Sequence, residues 1–132
     1  MKSLCLLAAT CQAAIQLTKN SNTEQLLDQN KVNLILYYDT YSRDKDQWID
    51  YFNKVEFAMP KKYFSFFTVD ARMYPQFEDE RMSFAINHST KSAANNYVLA
   101  LTEGRIRQLD WSAQQGFQVL EAKLIDYFYL PI

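Results

Sequence analysis

Apolar and polar residues alternate in blocks along this chain, and the blocks predict both strands and helices. Residues 32–38 are almost continuously apolar, which is typical of a central strand buried on both faces. Residues 63–70 form a second strand, rich in aromatic and β-branched side chains. Residues 97–101 and 105–109 flank a short turn and predict an antiparallel hairpin.

A helix is predicted between the first two strands, with an N-cap at Thr40 or Ser42 and an end near Phe57. Aspartates in its first turn suit the positive end of the helix dipole. Its buried face repeats at i, i+4 and i+7 and consists of Trp48, Phe52 and Val55. The first half of the chain therefore predicts a strand–helix–strand crossover with parallel strands.

Three further helices are predicted from capping signals and apolar spacing. Short helices are expected over 23–29 and 78–87, and a final helix begins at Ser112, which forms a capping box with Gln115. The apolar face of this final helix is Phe117, Leu120, Leu124 and Phe128.

The N-terminal segment, residues 1–19, precedes a domain predicted over 20–132 and allows two interpretations. One lysine, a short apolar run and small residues near Ala13 resemble a secretory signal peptide. The alternative is a retained amphipathic helix, whose apolar face would be Leu4, Leu7, Ala8, Cys11, Ala14 and Ile15. In either case the run is too short to form a transmembrane helix.

Composition narrows the functional classes. A length of 132 residues predicts a single domain, and a net charge of −1 without a basic stripe argues against a nucleic-acid partner. One histidine and two cysteines, Cys5 and Cys11, cannot supply a typical zinc site. Aromatic residues make up 15% of the chain, which suits either an aromatic core or a surface that binds another protein.

The order of predicted elements across residues 23–129 resembles the thioredoxin-like family. Residues 34–38 look like that family's central strand, Val69 and Asp70 with nearby Pro75 resemble its next strand, and Gly104 matches its hairpin glycine. The resemblance implies an α/β fold: a thioredoxin-like three-layer sandwich with a mixed central sheet flanked by helices, here with an extra N-terminal apolar helical segment.

The positions that carry chemistry in that family hold other residues here. The two cysteines of the Cys-x-x-Cys pair fall on Ser42 and Lys45, the cis-proline falls on Asn96, and the buried acid falls on Leu36. Thiol–disulfide exchange needs a thiolate and a resolving thiol, so the resemblance implies a redox-inactive domain that is not an enzyme. The degenerate positions become candidate contacts with a partner: Ser42, Arg43, Asp44, Lys45, Asn95 and Asn96.

The other candidate residues are expected to have structural or solvent-exposed roles without chemistry. A Ser42–Lys45 nucleophile pair lacks an orienting partner, so an N-cap and a solvated lysine are expected. Aspartates at 39, 44 and 46 are expected to be solvated carboxylates at a helix start. The acidic cluster of Asp70, Glu78, Asp79 and Glu80 lacks calcium-loop spacing and is expected to be solvated as well. Asn87 begins an Asn-x-Ser sequon, which would be glycosylated only in the secretory pathway, and the adjacent His88 is expected at a surface.

Together these features predict a structural or interaction module without cofactor or metal, serving as an accessory subunit of a larger protein assembly. A mitochondrial membrane complex is one setting, with the N-terminal segment retained near the membrane. The alternative is a secretory or ER-luminal, non-catalytic relative of disulfide isomerases that binds client proteins, with the N-terminal segment cleaved.

Overall fold

The protein is built around a five-stranded sheet, whose strands lie in the order β1-β3-β2-β4-β5 with the ranges given below. The computed structural model describes residues 14–18, 28, 30–70, 96–102 and 105–128. The elements are β1 (Ile15–Gln16), β2 (Val32–Tyr38), α1 (Lys45–Ala58), β3 (Phe64–Asp70), β4 (Tyr97–Thr102), β5 (Arg105–Gln108), a 3-10 turn (Ala113–Gln115) and α2 (Phe117–Phe128).

The sheet is mixed, as predicted. β2 runs parallel to β3, with Leu34 opposite Phe66, and antiparallel to β4, with Leu36 opposite Val98. β4 and β5 form the antiparallel hairpin. β2 is therefore central, which explains why its residues from Asn33 to Tyr38 are all buried.

Both described helices pack on one face of the sheet. Phe52 of α1 and Leu120 and Leu124 of α2 are fully buried in a core with alternate residues of β2 and β3. Phe52 meets Phe66 edge-on, with ring centroids 5.3 Å apart. This is the α/β arrangement that the resemblance implies. The helix predicted over 78–87 lies outside the described residues, as does the helix predicted over 23–29 except for Asp28, which is not helical.

Helix α1 ends where proline chemistry requires it. Met59 has φ −87° and ψ 149°, an extended conformation that the following Pro60 favours over the helical one. The predicted buried face is confirmed, since Trp48, Phe52 and Val55 are the buried residues of the helix.

Two local predictions are wrong. Ile15, which the helical spacing of the N-terminal segment included, lies in strand β1 opposite Phe67, while residues 1–13 lie outside the described part of the chain. The capping box also does not begin α2. The Ser112 N–H donates to Oε1 of Gln115 at 2.9 Å around the 3-10 turn, and α2 begins only after Gly116, whose φ is +93°.

Candidate functional site

The segment between β2 and α1 is held in place by Asp39. Its carbonyl oxygen accepts the N–H of Ser42 at 2.9 Å, and its Oδ1 accepts the N–H of Tyr41, also at 2.9 Å. An aspartate that bonds the backbone two residues further on forms an Asx turn, which reverses the chain without glycine. The turn delivers residues 42–45 to the N-terminus of α1.

Asn96 crosses from the start of β4 to this turn and is only 4% exposed. Its Nδ2 donates to Ser42 Oγ at 2.8 Å and to Asp44 Oδ1 at 3.2 Å. Its Oδ1 accepts the N–H of Asp39 at 2.8 Å. The residue at the expected cis-proline position thus uses both ends of its amide to tie two segments together, and no cis peptide bond occurs among the described residues.

The Asp44 carboxylate accepts the remaining hydrogen bonds of this network. It accepts the Ser42 hydroxyl at 2.6 Å and the Trp48 indole N–H at 3.1 Å. The hydrogen bond from Ser42 lowers the pKa of Asp44, and the bond from Trp48 adds to this effect. We refer to Asn96, Ser42, Asp44 and Trp48 as the polar brace.

The N-cap predicted at Thr40 or Ser42 is therefore wrong. Asp44 occupies the N-cap position, and its side chain caps no backbone N–H because Ser42, Trp48 and Asn96 engage it. The Thr40 hydroxyl instead donates to Oδ2 of the buried Asp70, at the end of β3.

Two aromatic rings lie beside the polar brace. Tyr37 and Tyr97 are paired residues of β2 and β4, and their rings stack with centroids 5.2 Å apart. Burial raises the pKa of the Tyr37 hydroxyl, and the neighbouring Tyr97 raises it further. Leu36, at the position of the family's buried acid, is fully buried. These residues precede the turn on β2 and follow Asn96 on β4.

The outer rim of the turn is a different surface. Tyr41 is 79% exposed, Arg43 is exposed, and Lys45 forms a 3.6 Å ion pair with the exposed Asp46. The sequence singled out Arg43 and Lys45 in this turn but did not single out Tyr41. An aromatic residue isolated between polar turn residues was the signal that could have identified it.

The arrangement does not favour nucleophilic chemistry. The Ser42 hydroxyl donates to a carboxylate, and the Lys45 ammonium lies beside Asp46, so no activated Ser–Lys pair forms. Within the described residues, no cluster of three potential metal-ligating side chains occurs. No helix in the described part is long and apolar enough to cross a membrane.

The structure brings together four of the predicted site residues, Ser42, Arg43, Asp44 and Lys45, with Asn96 buried beneath them. It turns Asn96 inward, so its side chain is not part of an exposed contact surface. Other positions singled out in the sequence lie outside the described residues: Asn95, Asn87, His88, Gly104, Pro75, the acidic cluster at 78–80, and both cysteines.

The comparisons with known proteins identify the fold. No family model and no curated protein matches the chain. The crystal structure of the Trx4 domain of ERdj5 aligns with a TM-score of 0.63 at 17% identity, over 89% of this chain and 96% of that one. Thioredoxin from Trypanosoma brucei brucei aligns with a TM-score of 0.62 at 11% identity, over 89% and 93%. A longer structure, ERdj5 form II, aligns with a TM-score of 0.65 at 18% identity; the match covers 89% of this chain and 15% of that one. The chain therefore has a thioredoxin-like fold.

Proposed function

We propose that this thioredoxin-like domain is a redox-inactive interaction module, an accessory subunit of a larger protein assembly. The observation that carries the proposal is the position of Asn96. Its buried amide bonds Ser42 and Asp44, at the junction where a redox-active domain of this fold would present its thiols.

The brace supports this proposal on chemical grounds. An attacking thiolate needs an accessible sulfur and a second thiol within reach. Here the corresponding positions hold a hydroxyl and an ammonium, neither of which can form a disulfide. The hydroxyl of Ser42 both accepts from Asn96 and donates to Asp44, so it serves as a link in the turn.

The outer rim of the turn is the surface that we assign to the partner. Tyr41 and Arg43 project at the tip, and Tyr and Arg are enriched where protein interfaces concentrate binding energy. The brace holds the backbone beneath them, so less conformational entropy would be lost when a partner binds.

The experiment is isolation of the tagged full chain from its native source, compared with a Tyr41→Ala/Arg43→Ala variant. We expect a stoichiometric complex with the wild type and a loss of at least about tenfold in the recovered partner with the variant, which is typical of hot-spot truncation. The control is Gln47→Ala, an exposed α1 residue outside the turn. The Gln47→Ala control should recover as much partner as the wild type. Recovery of the wild type only as a free monomer would refute the assignment, and so would equal amounts of partner recovered by the wild type and by the Tyr41→Ala/Arg43→Ala variant.

A secretory, client-binding role is the second candidate, because the N-terminal segment resembles a signal peptide and Asn87 begins a sequon. The intact mass of the native protein separates the two roles. Cleavage near Ala14 with a glycan on Asn87 supports the secretory role. A retained N-terminal segment without glycan supports the accessory subunit, with a mitochondrial membrane complex as one setting.

A further inference from the structure

The outward face of α2 carries side chains that are not buried in the core, although Val119 at its edge packs partly against the core. Leu120 and Leu124 are fully buried on the inner side of the helix. On the outer side, a shallow and mostly apolar depression runs along the helix. The residues that line this depression are Gln118, Val119, Ala122, Lys123, Ile125 and Asp126.

The helical period gives this outer face a centre and two flanks. At about 100° per residue, Ala122 lies at the centre, Ile125 on one flank, and Lys123 and Asp126 on the other. The small Ala122 side chain allows a second helix to approach closely. Among the described residues, neither Lys123 nor Asp126 forms an ion pair within the chain. The Lys123 ammonium lies 5.9 Å from the centre of the Tyr127 ring, and it would have to turn from that ring to reach a carboxylate of a second copy.

One flank thus carries a positive and a negative charge three residues apart. When two copies of this flank run in opposite directions, each positive charge faces a negative one. When a helix packs antiparallel against its copy about a twofold axis, each flank meets the same flank running the other way. If the axis lies level with the midpoint of Lys123 and Asp126, each Lys123 faces Asp126 of the second copy. The two Ile125 side chains then meet near the axis.

A parallel arrangement does not give this match. A twofold axis along the helices would set the Lys123 and Asp126 flank against the flank that carries Ile125 and Glu121. Lys123 would then have Glu121 of the second copy nearby, but Asp126 would meet no cation, so only one of the two charges would be matched. The charge pattern therefore favours the antiparallel pairing.

We propose that α2 is a self-association surface, through which two copies of this chain form an antiparallel, twofold-symmetric dimer. Apolar contacts at Ala122 and Ile125 form its centre, and two Lys123–Asp126 ion pairs close its edge. One helix face is small beside the roughly 800 Å² per partner of a standard interface, so the dimer is expected to be reversible and concentration-dependent. This surface is separate from the turn that we assign to the partner.

Sedimentation velocity of the full chain over about 1 to 200 μM, at low salt, tests the proposal, since a small interface suits micromolar affinity. The wild type should shift from monomer to dimer within this range. Lys123→Asp and Asp126→Lys should each weaken dimerisation by at least about tenfold, because like charges then face each other twice. The double variant K123D/D126K restores opposite charges and should return the dissociation constant to within about threefold of wild type.

Two further variants complete the design. Ile125→Asp should abolish the dimer while leaving the circular dichroism spectrum unchanged, because the side chain is already partly exposed. Lys54→Asp, a charge reversal on α1, should leave dimerisation as in the wild type. A wild type that stays monomeric at every concentration would overturn the proposal. So would a double variant that dimerises no better than the single variants.

Discussion

Replacing Asn96 with alanine removes the centre of the polar brace without touching the rim of the turn. The variant loses two donated hydrogen bonds, to Ser42 and Asp44, and one accepted bond, from the N–H of Asp39. Asn96 is 4% exposed, so water cannot readily replace these partners in the folded state.

The expected cost follows from these bonds. A hydrogen bond between neutral groups contributes about 0.5–1.5 kcal/mol net, and one to a charged group about 1.5–3 kcal/mol. The bond to Asp44 is long, at 3.2 Å, and should lie at the low end. The free energy of unfolding should therefore fall by about 2–4 kcal/mol, a large part of the roughly 5–15 kcal/mol typical of a domain.

Equilibrium urea unfolding, followed by tryptophan fluorescence, measures this loss as a lower midpoint at unchanged slope. Asn96→Asp is the matched control, since it keeps the shape and the acceptor for Asp39 but sets a second carboxylate beside Asp44. It should be destabilised at pH 7 and recover part of its stability in acid, as one of the two carboxyl groups becomes protonated.

A double-mutant cycle measures how much of this loss comes from the hydrogen bond between Asn96 and Ser42. Asn96→Ala and Ser42→Ala should be coupled by about 1 kcal/mol, because the two side chains share one hydrogen bond. A loss below about 0.5 kcal/mol for Asn96→Ala, the usual range for surface substitutions, would show that the brace does not hold the turn.

Three further predictions concern the acid response, the core and the backbone. Because the pKa of Asp44 is lowered in the folded state, its contribution to stability should be fully present above its ordinary pKa of 3.8 and disappear as the pH falls through the folded value; Ser42→Ala should flatten this acid-side decline in urea midpoints measured from pH 6 to pH 2. Phe52→Ala should lower the free energy of unfolding by about 3–5 kcal/mol, because the ring is fully buried, and calorimetry should show a matching fall in Tm. Gly116→Ala should cost about 1–3 kcal/mol through backbone strain alone at φ +93°, since a Cβ there meets no atom within 4 Å; a Gly116→Ala variant as stable as wild type would contradict this reasoning.

The sheet and α1 could be predicted because their patterns are local and strongly periodic. The apolar run of β2 marks a strand buried on both faces, and the spacing of Trp48, Phe52 and Val55 marks one helix face. The boundaries were less accurate. The capping box at Ser112 closes only a 3-10 turn, because Gly116 has a positive φ that interrupts the helical path.

The polar brace could be predicted only in part. The resemblance to the thioredoxin-like family placed Asn96 at the cis-proline position, and in the structure its side-chain amide bonds Ser42. The sequence did not reveal that Asn96 is buried, that Asp44 takes the N-cap position, or that Tyr41 projects from the tip. The first two depend on contacts between residues more than fifty positions apart or on competition between several donors for one carboxylate, neither of which leaves a local pattern. Tyr41 did have a local signal, an aromatic residue between polar turn residues.

Disulfide reduction is the most direct measurement of the central claim, that this thioredoxin-like domain is redox-inactive. The full chain should be assayed for dithiothreitol-dependent reduction of insulin, alongside a Cys5→Ser/Cys11→Ser variant that lacks both cysteines of the chain. The account predicts that both proteins reduce insulin no faster than the dithiothreitol blank. A wild-type rate clearly above the blank that disappears in the cysteine-free variant would contradict it.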